Sequence, residues 1–398
     1  MLTKIKTDYK HTIYASYTGY ITQAIVNNFA PLLFLTFMSE YKLGLDRITL
    51  ITTVNFAVQL AVDLLSARVV DKIGYRISII TAHIFAAAGL VGLSVFPEIA
   101  SDPFTGIIIA VVLYAVGGGI IEVLISPIVE SCPTEGKEAA MSLLHSFYCW
   151  GHLFLVIMST VFFTLFGIEN WHILAVIWAL VPACNVFYFA LVPLFPIVAE
   201  DQEAQSPGGL IKNKVFWLLF VLMLCAGASE QAMSQWASAF AERSLGLSKT
   251  LSDLAGPCMF AALMGTSRAL YGKFADKLPL KKAIMGSSMM CILSYVLAIL
   301  PGKPILNVIG CAMCGFSVGV FWPGTFSMSS LSIPGGGTAM FALLALAGDV
   351  GCSSGPSVVG FVANAMGGEL KAGLIAAIIF PLIMLIGTSR LKPVKKKT

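Results

Sequence analysis

Ala67 to Arg76 reads A-R-V-V-D-K-I-G-Y-R, and 205 residues later Gly272 to Lys281 reads G-K-F-A-D-K-L-P-L-K. Each copy is a short charged turn between two long apolar runs. In each, an Asp and a Lys are adjacent, a helix breaker (Gly74 or Pro279) follows three residues after the Asp, and a cation (Arg76 or Lys281) comes five after it. A carboxylate in such a turn can cap a helix N-terminus, while the cations stay in water or bind nearby carboxylates. The repeat predicts two halves of one architecture.

Composition sets the class. With 57% apolar residues, 12% charged residues and a mean hydropathy of +0.86, a chain of 398 residues is far too apolar for a soluble domain. We expect an integral membrane protein. The nine Cys read as scattered singly through apolar runs (Cys225, Cys258, Cys291, Cys311) or beside them, with no paired spacing of a zinc site or redox motif, and are expected to be small buried hydrophobes, not disulfides. The net charge of +4 lies in loops and tail with no basic arm for nucleic acid. Lys4, Lys6 and Lys10 precede a long apolar run with no small-residue cleavage site, so that run is expected to stay as a helix.

A helix needs about 20 apolar residues to cross a bilayer, and twelve such windows can be cut. They fall near 11–38, 46–68, 77–97, 104–130, 138–166, 171–196, 214–242, 250–272, 283–300, 304–330, 338–365 and 370–388. The longest polar join follows the sixth, which predicts an N-terminal six-helix half (1–198), a linker (199–213) and a C-terminal six-helix half (214–398). With the N-terminus inside, the inner loops hold nineteen Lys and Arg and the outer loops six. Positive residues stay on the cytoplasmic side. Both termini are therefore expected in the cytoplasm, with the chain a multi-pass protein of the plasma (inner) membrane.

Twelve spans, a midpoint linker and a repeated turn after spans two and eight resemble the major facilitator superfamily. Ala67, Lys72 and Tyr75 depart from that family's signature turn. The resemblance implies an all-α, two-half fold with its substrate site near the bilayer midplane between the halves.

Ionisable residues inside apolar spans are costly and need a buried partner or a water-filled cavity. Span four carries Gly118, Glu122, Ser126 and Glu130 at intervals of four, one polar stripe along a helix face. Span five answers with His145, Tyr148 and His152. Glu122 and His145 lie at equal depth from the turn between their spans, so they form either a proton-coupling pair or a static interhelical hydrogen bond. Amides, a carboxylate and an indole are the equipment of a sugar site: Glu230, Gln231, Gln235 and Trp236 in span seven, and Gln23, Asn27 and Asn28 in span one. Asn55 and Gln59 on span two line the cavity or bond a neighbouring helix. Phe321-Trp322-Pro323 in span ten adds aromatic surface and a proline that frees a backbone carbonyl. Asp349, among Gly348, Gly351 and Gly355, either binds solute or proton or caps backbone exposed by Pro356. Near the inner ends, Asp63, Arg68, Asp71, Arg76, Glu130, Arg268 and Asp276 are candidates for an ionic latch of a cytoplasmic gate.

G-G-G-I-I-E in span four, L-L-H-S-F-Y-C-W-G in span five and G-A-S-E-Q-A-M-S-Q-W in span seven resemble the fucose/proton symporter-like branch of the superfamily. The resemblance implies proton coupling at Glu122. A Gly-Pro usual later in span five is absent, since His152-Leu153-Phe154 follows Gly151.

The expectation is a secondary transporter, not an enzyme, moving a small neutral polar solute such as a sugar by alternating access with proton symport. No cofactor or metal is expected, and the partners are the solute, the proton and the lipid bilayer, with the chain a monomer. An exporter of lipophilic or cationic compounds is the alternative, and a sensor or lipid-handling protein on the same fold a third reading. No Lys or Arg is expected near mid-membrane, which argues against an anionic substrate. No phosphate-binding Gly-x-x-x-x-Gly-Lys-Ser/Thr loop is present, so ATP drive is not encoded in the chain.

Overall fold

The computed structural model describes residues 2–196, 205–245, 256, 258–300 and 304–391; Asp71 is described by its backbone alone. Among the described residues there is no strand. The long helices are α1 (Tyr9–Leu32, continued after Leu33 as Phe34–Glu40), α2 (Leu45–Ile73), α3 (Tyr75–Ile99), α4 (Pro103–Ser131), α5 (Lys137–Phe166) and α6 (Trp171–Leu191). The second set is α7 (Lys214–Leu245), α8 (Met259–Phe274), α9 (Leu280–Ile299), α10 (Pro304–Val318 and Phe321–Ser332), α11 (Gly337–Ala365) and α12 (Leu370–Ala377 and Ile379–Arg390).

Ten described helices are long and apolar enough to cross a bilayer. The other two expected spans fall short for local reasons. Gln23, Asn27 and Asn28 dilute α1, and only 16 residues of α8 are described. Surface polarity is inverted relative to a soluble protein: Leu65, Phe187 and Phe361 are 62%, 72% and 76% exposed, whereas Gln23, Gln59 and Asp63 are each 1% exposed. Apolar side chains face outward because the surrounding solvent is lipid, which leaves polar groups to find partners inside.

The chain divides into two compact units. Unit 1 is Met1–Pro133, Trp150–Asp201 and Gly337–Ala342; unit 2 is Thr134–Cys149, Gln202–Gly336 and Leu343–Thr398. Inside unit 1, α3 packs on α4 and α6, and α4 on α1 and α2. Inside unit 2, the same pairs recur six helices later, with α9 on α10 and α12, and α10 on α7 and α8. The repeated turns explain part of this. Gly74 ends α2 and begins α3 at φ 93°, a conformation that favours glycine. Arg76, two residues on, donates to the carbonyls of Phe189 (2.8 Å), Ala190 (3.1 Å) and Val192 (3.0 Å), the unpaired end of α6. Its counterpart Lys281 donates to the carbonyls of Ser389 and Leu391 at the end of α12. Each turn cation thus closes a helix C-terminus within its own unit.

Two readings of the sequence need correction. Cys311 and Cys314 are not scattered singly but stand three residues apart on α10, and the Cys314 sulfur lies 3.9 Å from that of Cys291, all three as free thiols. Cys184 is exposed on the apolar surface rather than buried.

Candidate functional site

In unit 1, spacing along α1 and α2 assembles a polar cluster. Tyr20, Gln23 and Asn27 follow one another at i, i+3 and i+7 on α1, and Asn55 and Gln59 at i and i+4 on α2, so each set occupies one helix face. Both faces meet α4. Gln23 Nε2 donates to Glu122 Oε2 at 2.9 Å and to Gln59 Oε1 at 3.3 Å. Asn27 Oδ1 accepts from Gln59 Nε2 (2.7 Å) and Asn55 Nδ2 (3.3 Å). Tyr20 and Ser126 share a hydrogen bond of 3.0 Å one turn further along α4 from Glu122. Gly118 lies against this cluster, and a Cβ there would come within 2.9 Å of Gln23 Oε1, so that side chain would have to shift. The result is a carboxylate at the end of an amide chain, with neutral donors and acceptors of the kind that bind hydroxyl groups. Asn28 is turned to another use, donating to Ala24 O of its own helix at 2.9 Å.

Behind it, Asn185 of α6 donates to Ala15 O (3.0 Å) and His83 Nε2 (2.8 Å), while His83 Nδ1 donates to Ile79 O (2.8 Å). This fully buried chain joins α1, α3 and α6. Sequence reasoning named neither Tyr20 nor Asn185 for the site, although Tyr20 stands in register with Gln23 and Asn27.

In unit 2 the centre is Arg268. Small residues bring its helix in: a Cβ on Gly315 would lie 2.3 Å from Phe260 O, and one on Gly319 2.9 Å from Met264 O, so α8 and α10 touch through backbone. Arg268 Nε then donates to Gly319 O at 3.0 Å. That carbonyl is the one Pro323 leaves without its i+4 donor, because proline has no N–H. The freed acceptor expected from Phe321-Trp322-Pro323 is thus taken by a guanidinium. The remaining nitrogens donate to His145 O (3.1 Å), Cys149 Sγ (3.1 Å) and Glu230 Oε2 (3.4 Å). The side chains of Arg268 and Glu230 are only 5% and 12% exposed. A cation therefore reaches the middle of α7, which corrects the expectation that none lies near mid-membrane; Glu230 neutralises it.

The other sequence candidates take definite places. Gln231 Nε2 reaches Glu230 Oε1 at 3.5 Å, and the His145 ring is 5.8 Å from that of Phe326. Trp322 packs on Gly348, where a Cβ would meet its ring at 2.2 Å, and Gly351 and Gly355 let α11 lie on the α7 backbone at Leu224 and Ala228 beside Asp349. Trp236 spends its indole N–H on Pro356 O at 3.1 Å. Phe321 is buried, Tyr148, His152 and Asp349 are half-buried, and Gln235 is exposed. Of the latch candidates, Asp63 is buried and Glu130 half-buried, whereas Arg68 and Asp276 are exposed; the Asp71 side chain lies outside the described residues. Arg76 has the α6 carbonyls as partners, and Arg268 has Glu230.

Residues 17–356 match the family model of the Major Facilitator Superfamily. An uncharacterised MFS-type transporter of Yersinia pestis is 25% identical over 170 residues, 41% of this chain and 43% of that relative, so the match spans less than half of its length. Among solved structures, FucP in the outward conformation superposes with a TM-score of 0.81 at 15% identity, covering 96% of this chain and 99% of FucP. The proton:xylose symporter XylE gives 0.76 at 12% identity over 96% and 95%. A bacterial homologue of the iron transporter ferroportin gives 0.75 at 12% identity over 96% and 99%, so the likeness is one of fold. With its helical repeat, its twelve-helix arrangement and a family match across most of its length, this chain is a member of the Major Facilitator Superfamily of membrane transporters.

Proposed function

We propose that the protein carries a small neutral polar solute, a sugar or a related polyol, by alternating access in symport with protons. It works through two six-helix halves, 1–198 and 214–398, joined by the linker 199–213. The observation that carries the proposal is the cluster of Gln23, Asn27, Asn55 and Gln59 ending on Glu122, which gathers five neutral or titratable hydrogen-bonding side chains on three helices of unit 1. Glu122 is the proton carrier, its Oε2 accepting from Gln23 Nε2 at 2.9 Å. His145 of unit 2 serves as a second titrating group. In unit 2 Glu230 balances the charge of Arg268, which suits an uncharged substrate. The fold likeness to proton-coupled sugar symporters is in keeping with this reading.

A thermal-shift panel of sugars, polyols, organic anions and lipophilic cations on the purified protein tests the substrate class. Stabilisation by a sugar or polyol is expected, followed by uptake into proteoliposomes that a protonophore abolishes. Stabilisation confined to lipophilic cations would replace the proposal with the exporter reading.

A further inference from the structure

At the end of unit 1 opposite the Arg76 turn, the continuation of α1, the last turn of α3 and the first turn of α6 bring together Glu40, Glu98 and His172. One ligand-capable atom from each lies within 4.8 Å of the others. What distinguishes this group from an ordinary surface cluster is that an outside partner orients each member. His172 Nδ1 donates to the backbone carbonyl of Ser94 at 3.0 Å, which fixes the proton on Nδ1 in the neutral ring and leaves the lone pair on Nε2. Nε2 points to Glu40 Oε1 at 3.6 Å. The other oxygen of Glu40 is held by Trp171 Nε1 at 2.9 Å, and Glu98 Oε1 is held by the Tyr41 hydroxyl at 2.6 Å. The Trp171 ring also stacks on the imidazole at 3.6 Å.

We propose that Glu40, Glu98 and His172 form a binding site for a first-row divalent cation, with Zn²⁺ the best fit. One imidazole nitrogen and two carboxylate oxygens are three of the four ligands that zinc takes, and water supplies the fourth. The ring whose second nitrogen is committed to a backbone carbonyl, and the carboxylates fixed by neighbouring donors, are the outer-shell arrangement that metal ligands use. A nitrogen donor among the three favours zinc over Mg²⁺ or Ca²⁺, which prefer all-oxygen sets. Two carboxylates held this close repel until a cation lies between them. The exposure of both carboxylates gives the ion a path in from water, and on the orientation argued from charge the site faces the outside. Bound there, the cation ties three helix ends together without entering the transport pathway.

The test uses the full chain with any affinity tag removed and stripped of metal. One Zn²⁺ per chain by elemental analysis after micromolar loading, and a rise of several degrees in the melting temperature absent with Mg²⁺ or Ca²⁺, are expected. His172→Gln, Glu40→Gln and Glu98→Gln should each weaken binding at least tenfold while eluting as the parent does in size exclusion. Independently of any variant, Co²⁺ added to the parent protein should give visible ligand-field bands that Zn²⁺ bleaches. Absence of Zn²⁺ uptake, absence of those bands, or full binding in His172→Gln would each overturn the site and leave a simple His172–Glu40 ion pair.

Discussion

Replacing Glu230 with Gln removes one charge from a buried pair while keeping its shape, and the expected cost follows from the geometry. At 3.4 Å and an effective dielectric of about 20, the attraction between Arg268 and Glu230 is about 5 kcal/mol. Desolvating both ions offsets most of it, so the intact pair contributes little net stability. Breaking the pair is different, because it strands the guanidinium inside unit 2; such losses run at about 3–5 kcal/mol. Arg268 keeps the carbonyls of His145 and Gly319 and the Cys149 sulfur, so we expect the lower end, about 3 kcal/mol. Arg268→Gln should cost a similar amount by stranding Glu230. In the double variant no ion is stranded and the net loss should be only about 1 kcal/mol, so a double-mutant cycle should return a coupling of about 5 kcal/mol, close to the direct attraction. Equilibrium unfolding in mixed micelles with increasing SDS reads these differences. A coupling below about 0.5 kcal/mol would refute the reasoning and show that water reaches both groups.

Other variants probe the remaining links. Arg76→Ala and Lys281→Ala each uncap a helix C-terminus and should each lower stability by about 1–2 kcal/mol in the same assay; a loss of transport at unchanged stability would instead make Arg76 a latch. Gly315→Val pushes a side chain into the Phe260 backbone and should cost about 1–3 kcal/mol or prevent folding, whereas a stable, active variant would contradict the close α8–α10 approach. A Cys at Ser206 in the linker should resist impermeant thiol reagents in intact cells and react once the membrane is opened; labelling from outside would reverse the assigned orientation.

The fold was legible in the sequence because its signals are coarse and physical. Apolar run length, breaker clusters and the Asp71 and Asp276 turns locate the helices to within a few residues, and the repeat at 205 residues anticipates the matched packing of the two helix sets. The cluster around Glu122 was legible in part, since helical periodicity puts Gln23 with Asn27 and Asn55 with Gln59, but periodicity cannot say which helix faces which. The reach of Arg268 was hidden for that reason: its place in α8 says nothing of its partners, and the close backbone contacts at Gly315 and Gly319 show how the side chain comes to Glu230. The role of Pro323 needed the same geometry, because a freed carbonyl is visible in sequence whereas its donor comes from another helix. Glu40, Glu98 and His172 are separated by up to 132 residues and carry no spacing signal at all.

Proton coupling through Glu122 is the central claim, and Glu122→Gln tests it most directly, since the amide keeps hydrogen bonding to Gln23 but cannot titrate. In proteoliposomes loaded with the solute found by the thermal-shift panel, two quantities are compared with the parent protein: accumulation driven by a pH gradient, and exchange of labelled for unlabelled solute at equal concentrations. The account predicts that accumulation vanishes while exchange persists and loses its pH dependence. Normal accumulation against a gradient in Glu122→Gln would contradict it and leave the carboxylate as a static hydrogen-bond partner of α1.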